Sequence, residues 1–160
     1  MFPIKIKRKA KKVFELCLKK NIKLAFAESC TGGLLSALIT SFPDSSKVFK
    51  HGCITYSNLS KQKNLNIKKK TLNKYGAVSE EVAKEMVNGI WKKNNVDIAL
   101  SITGIAGPSG GSKKKKVGLV YIGVKNKKKI KVNEFNIKGN REKVRLGSIE
   151  KAIDLIKLFL

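Results

Sequence analysis

Ser29, Cys30 and Thr31, followed by the pair Gly32-Gly33, come directly after the apolar run Leu24-Ala25-Phe26-Ala27 and Glu28. A strand ending at Glu28 and a helix opening at the glycines would hold the Ser29 hydroxyl at the carboxyl edge of a sheet. Free helix N–H groups would then point at whatever reacts there. Two uses fit that geometry: attack on a carbonyl by an activated hydroxyl, or the cradling of an anion. A serine hydroxyl attacks only when a base takes its proton and an oxyanion hole receives the charge. The amides of Thr31 to Gly33 are candidates for that hole, and one such donor is typically worth about 3 kcal/mol. Cys30 is the rival nucleophile, although a cysteine at a strand–helix junction commonly serves as a small buried apolar group.

The base is harder to find. His51 is the sole histidine, and a histidine beside a glycine is an ordinary surface or structural residue. A Ser-His-Asp arrangement would rest on it alone. A lysine can substitute if its pKa falls from about 10.4 to about 7–8, a shift that burial and nearby positive charge can produce. Ile54-Thr55-Tyr56-Ser57-Asn58-Leu59-Ser60-Lys61 offers Tyr56 at a strand end and Lys61 in the turn beyond it, so both can converge on one point. The plain alternative makes Lys61 one surface lysine among many, with Lys63 beside it, and Tyr56 a residue at the edge of the core. A third block, Ser101-Ile102-Thr103-Gly104-Ile105-Ala106-Gly107-Pro108-Ser109-Gly110-Gly111, has the glycines that let backbone amides approach a ligand. It lacks the Gly-Lys-Ser/Thr end of a Walker A loop and the GxGxxG of a dinucleotide fold. A purely structural loop is its other reading.

Positioning such groups requires alternating strands and helices. Ala10, Val13, Phe14, Cys17 and Leu18 mark one helical face over residues 8–20. Leu24–Glu28 reads as a buried strand, and Gly33–Ser41 as a helix stopped by Pro43. Phe49–Tyr56 reads as a second strand, and Asn58 as the cap of a short helix carrying Lys61, Leu65 and Ile67. Ser79 is an N-cap with Glu80 and Glu81 in the first turn, where the helix dipole favours them. That helix runs through Val82, Met86, Val87, Ile90 and Trp91. Asp97–Thr103 is a strand, Val117–Val124 and Ile130–Ile137 form a hairpin across Lys125–Lys129, and Asn140 to Leu160 is a closing helix. The pattern predicts one α/β domain over residues 1–160, an α/β/α sandwich around a mixed sheet. Lys113–Lys116 reads as a solvated loop tip.

Composition narrows the setting. The 160 residues carry a formal net charge of +24, yet of 35 basic residues only Arg8, Arg141 and Arg145 are arginine. A dedicated nucleic-acid surface recruits arginine for bidentate contacts, so the lysines read as tolerant surface positions with nonspecific polyanion affinity as a by-product. Two stretches, Leu24 to Ser46 and Asn94 to Ser112, contain no lysine or arginine. Both extend beyond their strands into glycine-rich turns, which points to a packed pocket. No apolar run approaches the roughly 18 residues of a membrane span. No secretory leader is read, and three cysteines without CxxC spacing suit a reducing cytoplasm.

Taken together and in order, these blocks resemble one family. The matching residues are Ala27 to Gly33, Gly52-Cys53-Ile54-Thr55-Tyr56-Ser57-Asn58 with Lys61, and Tyr75-Gly76-Ala77-Val78-Ser79. They continue with Ser101 to Pro108, Gly110-Gly111, Val117-Gly118 and Gly139-Asn140-Arg141-Glu142 with Arg145. They resemble the C-terminal domain of the CinA competence/damage-inducible proteins, the nicotinamide-nucleotide amidase family. The resemblance implies hydrolysis of the carboxamide of nicotinamide mononucleotide to nicotinate mononucleotide and ammonia, with no metal and no organic cofactor. It implies Ser29 as acyl nucleophile activated by Tyr56 and Lys61. Substrate binding would fall to Glu28, Thr31, Gly32, Gly33, Thr103, Gly104, Ala106, Gly107, Gly110 and Gly111, with Arg141 toward the phosphate. It further implies a cytoplasmic homo-oligomer in the stand-alone form, without the molybdopterin-binding-like domain that precedes it in many relatives. Two alternatives are a nucleotide-binding accessory module with little turnover and a nonspecific nucleic-acid-associated factor. Lys116 stands where the family usually has proline, which removes a φ restraint, and Ser112 stands where it usually has threonine.

Overall fold

The structure, a computed structural model, describes residues 2–160. The elements in chain order are α1 (Ile4–Lys19), β1 (Leu24–Glu28), α2 (Leu34–Thr40), β2 (Phe49–Ile54), α3 (Asn58–Leu65), α4 (Lys69–Tyr75), α5 (Glu80–Lys93), β3 (Ile98–Gly104), β4 (Leu119–Lys125), β5 (Ile130–Asn136) and α6 (Arg141–Phe159). One five-stranded sheet runs in the order β2-β1-β3-β4-β5. β1 is parallel to both β2 and β3, whereas β4 pairs antiparallel with β3 and β5 antiparallel with β4. The expected α/β/α sandwich around a mixed sheet is the observed architecture.

The two faces of the sheet differ in bulk, and sequence alternation sets the difference. Leu24 and Phe26 of β1, with Ile98, Leu100 and Ile102 of β3, pack into a cluster with α1, α2 and α6. Ala25, Ala27 and Ala99 face the other way, toward α5 and the short helices α3 and α4. The small residues let α5 lie close to the sheet. Ser101 Oγ donates to the Ala83 carbonyl of α5 at 2.7 Å. A Cβ on neighbouring Gly123 would stand 2.7 Å from that same Oγ. α3 presses on α5 just as closely, because a Cβ on Gly89 would overlap the Leu65 carbonyl. Gly89→Ala is therefore expected to lower unfolding stability by about 1–3 kcal/mol through overpacking, read by urea titration.

The connections place a crevice. From β1 the chain crosses through α2 to β2 on one side, then returns through α3, α4 and α5 to β3 on the other side of β1. Ligands in open α/β sheets bind at the carboxyl ends of strands where the winding reverses in this way. Here those ends are Glu28 of β1 and Gly104 of β3.

Several boundaries differ from the sequence reading. α1 begins at Ile4, because Ile6 also joins its buried face. β2 stops at Ile54, so Tyr56 lies beyond it in the loop. Ser57, not Asn58, caps α3, its hydroxyl accepting from the Ser60 amide at 3.0 Å. β4 starts at Leu119, since Gly118 at φ 94° still belongs to a turn packed on Ile137. α4 had no counterpart in the sequence reading. Only Thr71 and Leu72 of it are buried, too few to show a period. Ser79 caps α5 as expected, and Asn140, read as the first residue of the closing helix, is its N-cap instead.

Candidate active site

Ser29 is the first residue past β1, and its backbone is pinned where three strands meet. Its amide donates to the Ile102 carbonyl of β3 at 3.0 Å, and the Thr55 amide donates to the adjacent Glu28 carbonyl at 2.8 Å. The side chain is buried at 8% exposure but opens into a cavity of about 230 Å³. Lys61, on α3, reaches the same point from the opposite layer. Its Nζ donates to Ser29 Oγ at 2.9 Å and to the Thr55 carbonyl at 2.7 Å.

Lys61 is 1% exposed. Among the described residues no carboxylate pairs with it. Burial of an unpaired ammonium favours the neutral amine, and it pulls the Lys61 pKa from 10.5 down to about 8. Near neutrality the amine can thus lose its proton and turn a lone pair toward Ser29 while still donating to Thr55. Cys30 moves the other way. Burial pushes its thiol up to about 11, so it stays protonated and packs as a small apolar group.

Glu28 shows how the turn is held. On β1 it follows Leu24 and Phe26 on the bulky face and points at the start of α2. Its carboxylate accepts from the Leu35 amide at 3.1 Å, the Ser36 amide at 2.8 Å and Ser36 Oγ at 2.7 Å. A fully buried carboxylate at a helix N-terminus is favoured by the dipole and by its charge-assisted bonds. The helix amides that were candidates for an anion cradle are thereby occupied, and Glu28 is placed as a strut behind Ser29. Glu28→Gln turns one acceptor oxygen into a donor facing donors. It is expected to cost about 1–3 kcal/mol of unfolding stability, measured by denaturant titration.

The other residues named from sequence divide into two groups. Ser29, Tyr56, Lys61, Thr103, Gly104, Ala106, Gly107, Gly110 and Arg141 all line the cavity, joined by Cys30, Ala77, Val78, Ile105 and Ser109. Glu28, Thr31, Gly32, Gly33 and Gly111 do not. Thr31 is fully buried, and its carbonyl accepts from Arg145 at 2.8 Å. The Gly32 amide donates to the Ser29 carbonyl at 2.9 Å, which removes it from an oxyanion hole. Gly32 and Gly33 take φ of 60° and 87°, the left-handed turn that lets the chain reverse into α2. Thr103 forms part of the floor, its hydroxyl donating to the Ala77 carbonyl at 2.7 Å. Tyr56 and Arg141 form the rim. Arg141 donates to the Tyr56 hydroxyl at 2.8 Å and to the Gly107 carbonyl at 2.9 Å. Ala77 and Val78 were missed as wall residues, although Tyr75-Gly76-Ala77-Val78-Ser79 carried part of the resemblance. A larger groove of about 440 Å³ between α1 and α6 is lined by Lys9, Lys12, Leu16 and Lys19 and gathers no nucleophile.

An α/β domain with a serine and a buried lysine meeting at the carboxyl end of its central parallel strands is the class of protein these features define. The chain belongs to the CinA C-terminal domain family, whose sequence model matches residues 6–160. It is 50% identical over 142 residues to a CinA-like protein of Endomicrobium trichonymphae, covering 89% of this chain and 33% of that protein. The chain thus spans about a third of the length of the curated relatives it matches. Among solved structures, the competence/damage inducible protein CihA from Agrobacterium tumefaciens superposes with a TM-score of 0.96 at 32% identity, over 99% of this chain and 98% of that one. A CinA superfamily protein from Escherichia coli superposes with a TM-score of 0.92 at 28% identity, over 97% and 90%. No helix among the described residues is long and apolar enough to cross a membrane.

Proposed function

We propose that this domain hydrolyses the carboxamide of nicotinamide mononucleotide through a serine acyl-enzyme. The observation that carries the reading is the buried, unpaired Lys61 amine on Ser29 Oγ at 2.9 Å. A neutral amine at that distance accepts the hydroxyl proton as Ser29 Oγ bonds to the carboxamide carbon. The oxyanion would fall to backbone amides among the cavity-lining residues, with those of Cys30, Ala106 and Gly107 as the candidates. Lys61 returns its proton to the amide nitrogen, the carbon–nitrogen bond breaks and ammonia leaves. Water then attacks the ester with Lys61 again taking a proton, and nicotinate mononucleotide is released as Ser29 regains its hydrogen.

The substrate assignment draws on the family resemblance and on the character of the walls. Ala77, Val78, Ile105 and Ala106 offer apolar surface to a flat ring, and Arg141 at the rim offers a planar cation to the phosphate. The Tyr56 hydroxyl, held by Arg141 in this structure, belongs with Lys61 in the activating group that the resemblance implies. The reading extends to a cytoplasmic homo-oligomer that needs no metal or organic cofactor and whose lysine-rich surface attracts polyanions only nonspecifically. The test is product analysis. Ammonia and nicotinate mononucleotide should form in equal amounts, and the riboside lacking the phosphate should show a raised KM. Binding of the nucleotide without ammonia release would instead support the accessory module.

A further inference from the structure

We infer that Lys115 is a positioning residue that clamps the glycine-rich loop to the opposite wall of the cavity and so sets its affinity for the nucleotide. The affinity part rests on the proposed amidase reading. The sequence placed Lys115 in a solvated run, Lys113–Lys116, but its side chain folds back and is half-buried. Its Nζ donates to the Tyr75 carbonyl and to the Val78 carbonyl, each at 2.6 Å. Tyr75 ends α4, so the ammonium also sits at the negative end of a helix.

What lies between those two carbonyls gives the contact its reach. Ala77 and Val78 form one cavity wall, and Ile105 to Gly110 form the other. The wall segment is tied carbonyl by carbonyl. Tyr75 and Val78 are held by Lys115, Gly76 by the Ser79 hydroxyl at 3.0 Å, and Ala77 by the Thr103 hydroxyl at 2.7 Å. Of these only the Lys115 bonds come from the glycine-rich loop's own return limb. That limb is closed into a tight turn, since the Ser112 amide donates to the Lys115 carbonyl at 2.7 Å and the Lys115 amide to Ser112 Oγ at 3.0 Å. Freeing its amine thus loosens the Tyr75 and Val78 carbonyls and the loop's return limb together, while the Ser79, Thr103 and Arg141 bonds stay.

The experiment compares wild type, Lys115→Met and Lys115→Arg by amide hydrogen exchange and by steady-state ammonia release from nicotinamide mononucleotide. In Lys115→Met, exchange should accelerate in residues 76–79 and 105–112 together while β1 and α6 stay unchanged. KM should rise about tenfold with kcat within about threefold, as loss of charge-assisted bonds to a wall would give. Lys115→Arg, which keeps a forked donor, should lie near wild type in both. Unchanged exchange in either segment overturns the clamp, and a coupled rise in exchange with an unaltered KM overturns its role in affinity. If wild type releases no ammonia, the amidase reading fails alone. The exchange data still decide the clamp, and a titration of nucleotide binding takes the place of KM.

Discussion

Lys61→Met is expected to abolish ammonia release, by about 10³-fold or more, while leaving the fold at least as stable as wild type. The loss follows from removing the one base within hydrogen-bond distance of Ser29. General acid–base catalysis contributes about 10²–10⁴-fold, and in the proposed mechanism the same group serves both half-reactions. The stability arm is the more discriminating. Lys61 is buried without a carboxylate partner among the described residues, and a methionine of similar length fills the same space without a charge to desolvate. A residue kept for structure should destabilise when replaced, whereas one kept for chemistry at a cost to the fold should not. Thermal melts beside activity assays separate the two.

The same lysine sets a pH dependence whose sign can be worked out. Its folded pKa, about 8, lies below its ordinary 10.5. In the proposed mechanism the neutral form acts, so kcat/KM should rise with pH and level off above about 8, falling about tenfold per unit below that. Stability follows the linkage. Between about 8 and 10.5 the unfolded chain binds the proton that the folded chain has released, so unfolding free energy from this group rises with pH across that window. Lys61→Met should lack this rise.

Ser29→Ala carries the second large effect. Without the hydroxyl no ester forms, and turnover should fall by 10³-fold or more, consistent with serine nucleophiles whose removal leaves only oxyanion and binding contributions. Cys30 is not expected to take over. Its thiol, pushed up to about 11 by burial, remains protonated at working pH. Stability should change by no more than about 1 kcal/mol, since the backbone bonds of Ser29 to β3 and to Gly32 remain and only the bond that Lys61 gives its hydroxyl is lost. Ammonia assays and urea titration on the same preparation would check both statements.

The strand–turn–helix around Ser29 was legible because its signals are local: an unbroken apolar run, then paired glycines able to take positive φ. The two lysine-free stretches were equally informative. They supply Ser29, Cys30, Thr103 to Gly107, Ser109 and Gly110, much of the cavity lining. Lys61 was a different matter. Nothing in its neighbours distinguishes it from Lys63, because its burial depends on α3 lying across the end of β1, a contact between layers. The contacts of Glu28 were not legible for a related reason. It caps α2 from seven and eight residues upstream, across the turn, where no N-cap spacing announces it. Lys115 was hidden inside a lysine run, its role created only by α4, the helix the sequence reading lacked.

The most direct test is ammonia release from nicotinamide mononucleotide by wild type, Ser29→Ala and Lys61→Met, each shown to be folded. Wild type should release ammonia steadily, and both variants should lose nearly all of it. Release that survives in Ser29→Ala would contradict the acyl-enzyme and return the chemistry to Cys30 or to a water activated by Lys61.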